Sequence, residues 1–422
     1  MNGIIPYRTH IDSLRNGLKV VRMPMPGNGL VAYWTLVRTG SRDEYEPGRT
    51  GFAHFFEHMM FRGTVRFPSD AYQRILTEIG ADANAYTTDD LTAYHLSLAA
   101  EDLPKVIELE SDRFMHLAYS RADFETEAGA VYGEYRKSRM DPFFTLYEAI
   151  VETAFDAHPY GHTTMGYEAD IAAMPGLYDY SRDFFARYYR PDNTILLVAG
   201  EIDPAAVLDL VEHHYGSWAP GYEPPPIPAE PPQRGERRFD VEYDGRTLPI
   251  AWLAYKIDAF DPANRLRVAA DLLADLAFGE TSETYRRLVL DEQVVEFLDA
   301  GATANRDPGL FDVYARIKDP ARVDYVIAVL DETAERFRSS PPDEAKLAAL
   351  KSRLKYAFLM GFDTPDRAAQ RVARYLAIGG DLDGLEALHA AYEHVTPDDV
   401  QAAARAYLVH ERRTLGVLRG RS

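Results

Sequence analysis

Two histidines and a glutamate lie close together in residues 51–63, at His54, Glu57 and His58. Side chains four residues apart on a helix project side by side, so the two imidazoles can bind one metal ion. The glutamate, three residues after the first histidine, then lies beside the water molecule that such a metal activates. This H-x-x-E-H pattern, the reverse of H-E-x-x-H, indicates the metal-binding helix of a zinc hydrolase.

The element that must hold these side chains is a short amphipathic helix. Thr50 is predicted to cap its start and Gly63 to end it. Its apolar residues recur at the spacing of one helical face, opposite the histidines. These residues are Phe52, Phe55, Phe56 and Met59. The alternative interpretation is a solvent-exposed helix face that carries two histidines without a metal.

A candidate third ligand lies in a second amphipathic stretch, residues 123–137. A catalytic zinc ion takes three protein ligands and keeps a fourth position open for water. Glu127 and Glu134 are seven residues apart, which is two helical turns, so both carboxylates share one face of the predicted helix. The alternative is a pair of unrelated, solvated glutamates.

Together these residues resemble the M16 metallopeptidases, the inverzincins related to pitrilysin, insulin-degrading enzyme and the mitochondrial processing peptidase. His54, Glu57 and His58 match the helix motif of that family, and Glu134 matches its third ligand by spacing. The resemblance, which is to one M16B subunit, implies one Zn²⁺ per chain on His54, His58 and Glu134, with Glu57 as the catalytic base. Glu127 resembles a supporting glutamate of the family, which orients a ligand or a neighbouring Arg or Lys.

A β-hairpin is predicted at residues 81–98, because apolar and polar residues alternate in its second strand. The segment Asn84-Ala85-Tyr86-Thr87 resembles the edge strand on which the family binds its substrate as an added β-strand, and Asn84, Ala85 and Tyr86 are its candidate substrate-binding residues. An edge strand offers unpaired N–H and C=O groups to any extended peptide. The alternative is an ordinary hairpin strand. His95 is expected to be a strand-surface histidine and not a further ligand.

The composition excludes several classes of function. A net charge of −20 argues against nucleic-acid binding, which needs Lys/Arg patches. It would favour basic peptides as substrates; the alternative is an acidic surface that serves only solubility. No apolar run approaches about 18 residues, so no membrane span is expected. The chain has no cysteine, which excludes disulfides and thiolate metal sites. Its first residues lack a basic and apolar leader pattern, so the expected compartment is the cytoplasm, or the periplasm if this is a mature chain.

A proline-rich segment, 219–236, divides the chain into two halves. It holds seven prolines and should be extended and semi-rigid. The predicted elements of 1–218 recur in 237–422, which indicates an internal duplication. The counterpart of the metal helix, 266–273, has no histidine, so the first half is the zinc-binding catalytic domain and the second a chamber wall. The resemblance implies an α+β fold (an α/β sandwich): two homologous M16/LuxS-like domains, each a mainly antiparallel sheet with helices packed on it.

The pattern of apolar residues also predicts the individual elements. In the first half, strands are predicted at 18–23, 30–37 and 194–200, and helices at 69–79, 103–117, 144–155, 177–189 and 204–215. In the second half, strands are predicted at 237–243, 249–257, 309–317 and 414–418, and helices at 264–278, 283–290, 323–338 and 400–408.

The resemblance further implies a partner subunit. Subunits of this family work in pairs that close around a chamber and cleave unstructured peptides. In an active pair, the C-terminal half carries an Arg and a Tyr seven residues apart, which hold the substrate and stabilise the oxyanion. Aligned on Gly279 and Ser282, those positions are Val289 and Glu296 in this chain. Neither side chain can donate a hydrogen bond to an oxyanion.

Two neighbouring residues, Arg286 and Arg287, are poor substitutes because they lie a turn too early. We therefore expect the zinc-bearing endopeptidase half of a heterodimer, whose second M16-like subunit supplies the Arg and Tyr. Two other classes stay open: a peptide-binding subunit without catalysis, and a metal-binding structural protein without turnover. Neither nucleic acid nor a membrane is expected as a partner.

Overall fold

The computed structural model describes residues 3–27 and 29–421. Met1 and Asn2, on which part of the leader prediction rests, lie outside these ranges. Two β-sheets are present. The strands of the first are β1 His10–Ser13, β2 Lys19–Pro24, β3 Leu30–Val37, β4 Asp82–Thr87, β5 Thr92–Ala99 and β6 Thr194–Gly200. The strands of the second are β7 Arg237–Tyr243, β8 Ile250–Ile257, β9 Val295–Ala302, β10 Gly309–Ile317 and β11 Arg413–Gly420.

The remaining regular structure is helical. Before β7 the helices are α1 Phe52–Met59, α2 Ser69–Glu78, α3 Leu103–His116, α4 Arg121–Ser138, α5 Pro142–Ala154, α6 Glu168–Ala173, α7 Tyr178–Tyr188 and α8 Pro204–Tyr215. After β8 they are α9 Arg265–Phe278, α10 Glu283–Tyr285, α11 Val323–Ser339, α12 Glu344–Leu359, α13 Pro365–Gly379, α14 Asp383–His394 and α15 Pro397–Tyr407. A π-helical segment, Arg286–Asp291, continues α10. In the part of the chain that the structure describes, no helix combines the length and apolar character needed to cross a membrane.

Both sheets have the same core topology. The strand order is β1-β2-β6-β3-β5-β4 in the first sheet and β7-β11-β8-β10-β9 in the second. The pairs β2–β6 and β7–β11 are parallel, and the other neighbouring pairs of described strands are antiparallel. Apart from β1, the strands of the two sheets correspond one to one in order and direction. The predicted fold of two similar, mainly antiparallel domains is therefore confirmed.

The apolar content of these strands depends on whether they lie in the centre or at the edge of the sheet. The central strands β3 and β6 are almost continuously apolar and are buried along nearly their whole length, as expected where both faces are covered. Strand β4, at the edge of the first sheet, is partly exposed along its whole length. The edge of this sheet is therefore open to solvent at β4, which follows α1 and α2 in the chain.

Contacts between residues divide the described chain into two compact units. The first unit, Met1–Tyr135, His162–Pro228 and Phe358–Asp383, contains the first sheet. The second unit, Arg136–Gly161, Ala229–Ala357 and Gly384–Ser422, contains the second sheet. Helix α5 packs on β7, β8 and β11, and helix α13 packs on β3 and β6. Each sheet is thus covered by one helix from the other half of the sequence; the domain boundaries drawn from the sequence stay a prediction.

The proline-rich segment, 219–236, contains no helix or strand. In the first unit, Asp192 accepts hydrogen bonds from the backbone N–H groups of residues 221–222, each at 3.0 Å. In the second unit, Glu230 accepts hydrogen bonds from the three successive N–H groups of residues 156–158. The segment is therefore irregular and anchored near both of its ends; its role as a semi-rigid linker between domains stays a prediction.

Several elements differ from the prediction. The sequence patterns do not predict β1, β9, α6, α12, α13 or α14. The buried face of α13 consists mainly of alanines, whose small side chains give a weak apolar signal, and β9 contains a glycine and no regular alternation. The helix predicted at 283–290 forms as α10 and the π-helical segment.

Candidate metal centre

The apolar face of helix α1 fixes the direction of its polar face. The predicted apolar stripe is fully buried and consists of Phe52, Phe55, Phe56 and Met59. The backbone carbonyl of Phe56 accepts a hydrogen bond from the Tyr94 hydroxyl of β5 at 3.0 Å, and that hydroxyl also bonds Tyr189 at 2.6 Å. These contacts hold α1 against the sheet with His54 and His58 on its other face.

The start of α1 differs from the sequence prediction. Gly51 is the N-cap residue, with φ 90°, and has no side chain to cap the helix. The Thr50 hydroxyl, predicted to be the cap, donates instead to Asp170 at 2.8 Å. The buried carboxylate of Glu44 accepts the free N–H groups, from Gly51 at 2.7 Å and from Ala53 at 2.6 Å. Burial raises the pKa of Glu44, but each of its two oxygens accepts from an N–H group, which is the arrangement of the ionised carboxylate and opposes the rise.

Three potential metal ligands converge between α1 and α4. In the described ranges, His54, His58 and Glu134 form the one group of three such side chains, with ligand atoms within 4.8 Å of one another. Nε2 of His58 lies 3.3 Å from Oε2 of Glu134, and Nε2 of His54 lies 3.9 Å from its Oε1. Two imidazoles and one carboxylate are a ligand set of catalytic zinc sites. These residues therefore fit a zinc ion.

Glu127, also on α4, supports this group from the side. Its Oε1 lies 3.2 Å from Nδ1 of His58, and its Oε2 accepts hydrogen bonds from Nε, at 2.9 Å, and Nη2 of Arg62. Donation from Nδ1 to Glu127 leaves the lone pair of Nε2 facing Glu134, which is the tautomer that a metal ligand needs. The hydrogen bond with Glu127 raises the pKa of His58, and the same bond lowers the pKa of Glu127.

His54 is held in a different way. Its Nδ1 is buried and has no hydrogen-bond partner among the described residues. Its ring meets the ring of His58 edge-on, with centroids 4.8 Å apart. Burial and the neighbouring His58 lower the pKa of His54 to about 4. The ring is therefore oriented by packing and by the backbone of α1, and not by a polar partner.

The candidate base, Glu57, is fixed by the edge strand. The Thr87 hydroxyl, at the end of β4, donates to Oε2 of Glu57 at 2.7 Å. Burial raises the pKa of Glu57, and the Thr87 hydrogen bond opposes the rise. One carboxylate oxygen is thus held by the strand, which leaves the other to accept a proton.

The predicted substrate-binding residues lie beside this group, but their side chains do not all share its face. A cavity of about 380 Å³ is lined by Asn84 and Ala85 together with Glu57, His58 and Glu127. The ring of Tyr86 lies on the opposite face of the sheet from Thr87, where it meets Trp34 with centroids 6.1 Å apart. A peptide added along β4 would contact this cavity through the backbone of the strand.

Three other histidines, His95, His158 and His162, lie outside the metal group. His95 stacks on Trp34, with ring centroids 4.4 Å apart, on the face of the sheet away from α1. His158 contacts Asp307 at 3.1 Å, and Nδ1 of His162 lies 2.9 Å from the Thr163 carbonyl. These three are placed as structural side chains.

The second unit carries an ion pair where the first carries its histidines. Helix α9 follows β8 as α1 follows β3, and Asn264 is its N-cap as Gly51 is that of α1. Counting from these caps, Arg267 takes the place of His54 and Asp271 that of His58. Arg267 bonds Asp271, which also accepts a hydrogen bond from Tyr392 at 2.8 Å. The counterpart of the metal group is therefore charge-balanced without a metal.

The resemblance aligns the family's Arg and Tyr with Val289 and Glu296, and neither of these side chains is a hydrogen-bond donor. Val289 lies in the π-helical segment, and the exposed Glu296 on β9 forms an ion pair with Arg316 at 3.3 Å. Arg287 is engaged by Glu292 at 3.0 Å and by Glu332 at 3.2 Å. Arg286 pairs with Asp291 at 3.4 Å.

The sequence analysis did not predict the supporting roles of three residues at the site. Thr87 lies in the predicted strand, and the period-2 alternation that places Ala85 toward α1 also places Thr87 there. Arg62 lies one helical turn after His58, a spacing that could have indicated contact with Glu127. Glu44 lies in the loop before α1, and no spacing rule predicts its contact with the helix.

Comparison with known families gives matches in both halves of the chain. The family description "Insulinase (Peptidase family M16)" matches residues 20–168, and "Peptidase M16 inactive domain" matches residues 178–354. The first match contains the proposed ligands and Glu57. The second contains α9 with its ion pair.

Individual relatives extend over nearly the whole chain. "Zinc protease PqqE" of Helicobacter pylori is 29% identical, covering 94% of this chain and 89% of that protein. "Mitochondrial-processing peptidase subunit beta" of Lentinula edodes is 24% identical, covering 95% and 87%. The crystal structure of a protease from Helicobacter pylori superposes with a TM-score of 0.92 at 27% identity and covers 98% of this chain and 99% of that one.

Proposed function

Because the chain belongs to peptidase family M16, we propose that it is a zinc-dependent endopeptidase subunit that hydrolyses unstructured peptides. The observation that carries the proposal is the convergence of His54, His58 and Glu134, with Glu57 lining the same cavity as His58. Relatives named zinc proteases support zinc as the metal. Zinc held by these three residues supplies Lewis-acid chemistry, which lowers the pKa of a water molecule and polarises a carbonyl group.

Three side chains of this protein have separate roles in peptide hydrolysis. Glu57 accepts the proton of the attacking water and passes it to the leaving amine. Thr87 holds one oxygen of Glu57, so the carboxylate keeps one orientation. Glu127 keeps His58 in the tautomer that binds a metal through Nε2.

The substrate is a peptide that can adopt an extended conformation. Asn84, Ala85 and Tyr86 lie on the edge strand β4, whose free backbone groups can pair with an added strand. A compact folded protein offers no such free segment, so unfolded chains and short peptides are the expected substrates.

A second subunit completes the site in this proposal. Val289 and Glu296 cannot donate hydrogen bonds to an oxyanion, and Arg286 and Arg287 are paired with acidic residues. The relative from Lentinula edodes is itself named as a subunit. We infer a heterodimer with a second M16-like chain that supplies the Arg and Tyr. A peptide-binding subunit without catalysis is the second candidate, favoured by the same missing donors.

The test uses the purified full-length chain and an unstructured fluorogenic peptide. We expect about one zinc per chain and a slow hydrolysis that a zinc chelator abolishes and added zinc restores. A chain that binds zinc and the peptide but never hydrolyses it, alone or with its partner, is the non-catalytic subunit. A chain that binds no zinc contradicts both the metal site and the mechanism.

A further inference from the structure

The two histidines of the proposed metal site differ in what orients them. His58 is fixed by its contact with Glu127 at 3.2 Å, whereas Nδ1 of His54 is buried without a hydrogen-bond partner in the described ranges. The position of the His54 ring therefore depends on packing and on its own backbone. That backbone is the first turn of α1, three residues after the N-cap Gly51.

The first turn of α1 is held by one buried carboxylate from outside the helix. The first N–H groups of a helix have no partner inside it and need acceptors. Gly51 has no side chain, and the Thr50 hydroxyl is bonded to Asp170. Glu44 accepts from Gly51 with one oxygen and from Ala53 with the other, and it is only 3% exposed.

We propose that Glu44 is a positioning residue of the metal centre, which sets the place of His54 by holding the first turn of α1. The proposal rests on the proposed zinc site, and it adds a residue that does not touch the metal. A carboxylate suits this position because it offers two acceptors to two N–H donors and is favoured by the positive end of the helix dipole. An amide of the same shape offers one acceptor, and its NH₂ group faces the second donor.

Glu44→Gln tests the proposal, with Glu46→Gln as its matched control. Glu46 lies two residues further along the same loop, but its carboxylate bonds Arg187 at 2.5 Å and is one-third exposed. Two readouts are compared with the wild-type chain. The first is amide hydrogen exchange of residues 52–56 in the metal-free protein. The second is the zinc dissociation constant, measured by competition with a chromophoric chelator.

The expected result is specific to Glu44. In Glu44→Gln, exchange in the first turn of α1 should be at least about tenfold faster, while exchange in β6 is unchanged. Zinc should bind about tenfold more weakly, as it does when support of a ligand is lost. Glu46→Gln should change neither quantity. In Glu44→Asp, whose side chain is one methylene shorter, the exchange rate and the zinc affinity should both lie between those of Glu44→Gln and the wild type. This variant replaces Glu44→Gln in the test if Glu44→Gln does not fold.

The proposal would be overturned if Glu44→Gln kept the wild-type exchange rate and the wild-type zinc affinity. The same holds for Glu44→Asp if that variant replaces it. Equal effects of Glu44→Gln and Glu46→Gln would also overturn the proposal, since they would indicate a general loosening of the loop. The exchange readout needs neither zinc nor hydrolysis. A failure of the proposed peptidase function therefore leaves this result interpretable by itself.

Discussion

At the scale of single residues, the site depends on side chains that would not touch a metal. Glu127, Thr87 and Glu44 each hold one functional group: the ring of His58, the carboxylate of Glu57 and the first turn of α1. Loss of such support typically costs about 10–100-fold in metal affinity or activity. We therefore treat these residues as part of the site.

The zinc ligands give the first prediction. His54→Ala and His58→Ala each remove one of three ligands, and two ligands do not retain zinc against a chelating resin. Zinc per chain, measured by plasma mass spectrometry after gel filtration, should fall from about one to near zero. His213→Ala, which alters an exposed histidine on α8, should keep its zinc. Full zinc in the double variant would refute the ligand assignment.

Glu57→Gln separates metal binding from catalysis. The amide keeps the shape of the side chain but cannot accept a proton, so hydrolysis should fall by about 10²–10⁴-fold. Zinc content and thermal stability should stay those of the wild type. Glu125→Gln, a change at an exposed glutamate on α4, is the control and should leave the rate unchanged. Near-wild-type hydrolysis by Glu57→Gln would show that another group is the base.

The spacing of residues along the sequence predicts which side chains form the proposed metal centre, but it does not predict all of the side chains that hold them in place. His54, Glu57 and His58 lie within one helical turn, so their common face follows from helix geometry. The convergence of Glu134 with them follows from the family resemblance. The contact of Glu44 with α1 could not be predicted, because a loop carries no periodicity that says where its side chains point.

At the scale of elements, periodicity predicts those with a strong apolar pattern. Helix α1 buries its four predicted apolar residues, and β3, β6 and α8 begin and end at the predicted residues. Helix α13 and strand β9 were not predicted, because their buried faces are made of small or irregularly spaced residues. Packing in the folded chain, and not local pattern, defines these elements.

Helix α15 gives a prediction about pH and stability. Asp399 accepts hydrogen bonds from Thr396, at the N-cap of α15, and from Arg265 at the start of α9. Burial opposes ionisation, but these hydrogen bonds outweigh it and lower the pKa of Asp399 from 3.8 to about 2. A carboxyl with a lowered folded-state pKa stabilises the fold above its unfolded-state pKa, and this stabilisation is lost as the pH falls through its folded-state pKa.

We therefore expect Asp399→Asn to lower the free energy of unfolding by about 1 kcal/mol at neutral pH. The difference from the wild type should shrink as the pH falls from about 4 toward about 2, the interval between the two pKa values. Urea unfolding of both proteins at a series of pH values measures this difference. A difference that stays constant over that interval would show that the charge of Asp399 is not the cause.

At the scale of the whole molecule, the predicted strands and helices of the first half of the sequence recur in the second half, which predicts the duplication. Two sheets with matching strand order confirm it. The sequence does not predict that α5 covers the second sheet and α13 the first. An amphipathic pattern shows that a helix has a buried face, but it does not show which sheet that face will cover.

The missing oxyanion donors give the last prediction, which concerns assembly. The resemblance aligns Val289 and Glu296 with the family's Arg and Tyr, and on that alignment the chain alone should hydrolyse peptides about 10²–10³-fold more slowly than the assembled enzyme. An M16-like chain that co-purifies with this one, and lacks the zinc motif, should restore the rate when the two are mixed. Full activity from the purified single chain, as monomer or homodimer, would contradict the heterodimer.

The ion pair of Arg267 and Asp271 gives the two units a different dependence on metal. In the second unit this pair balances its own charge at the counterpart position, so that position needs no metal. In the first unit His54, His58 and Glu134 converge on a position that the proposed function assigns to zinc. A metal that binds only the folded state stabilises it, so we expect removal of zinc to lower the stability of the first unit and to leave that of the second unchanged.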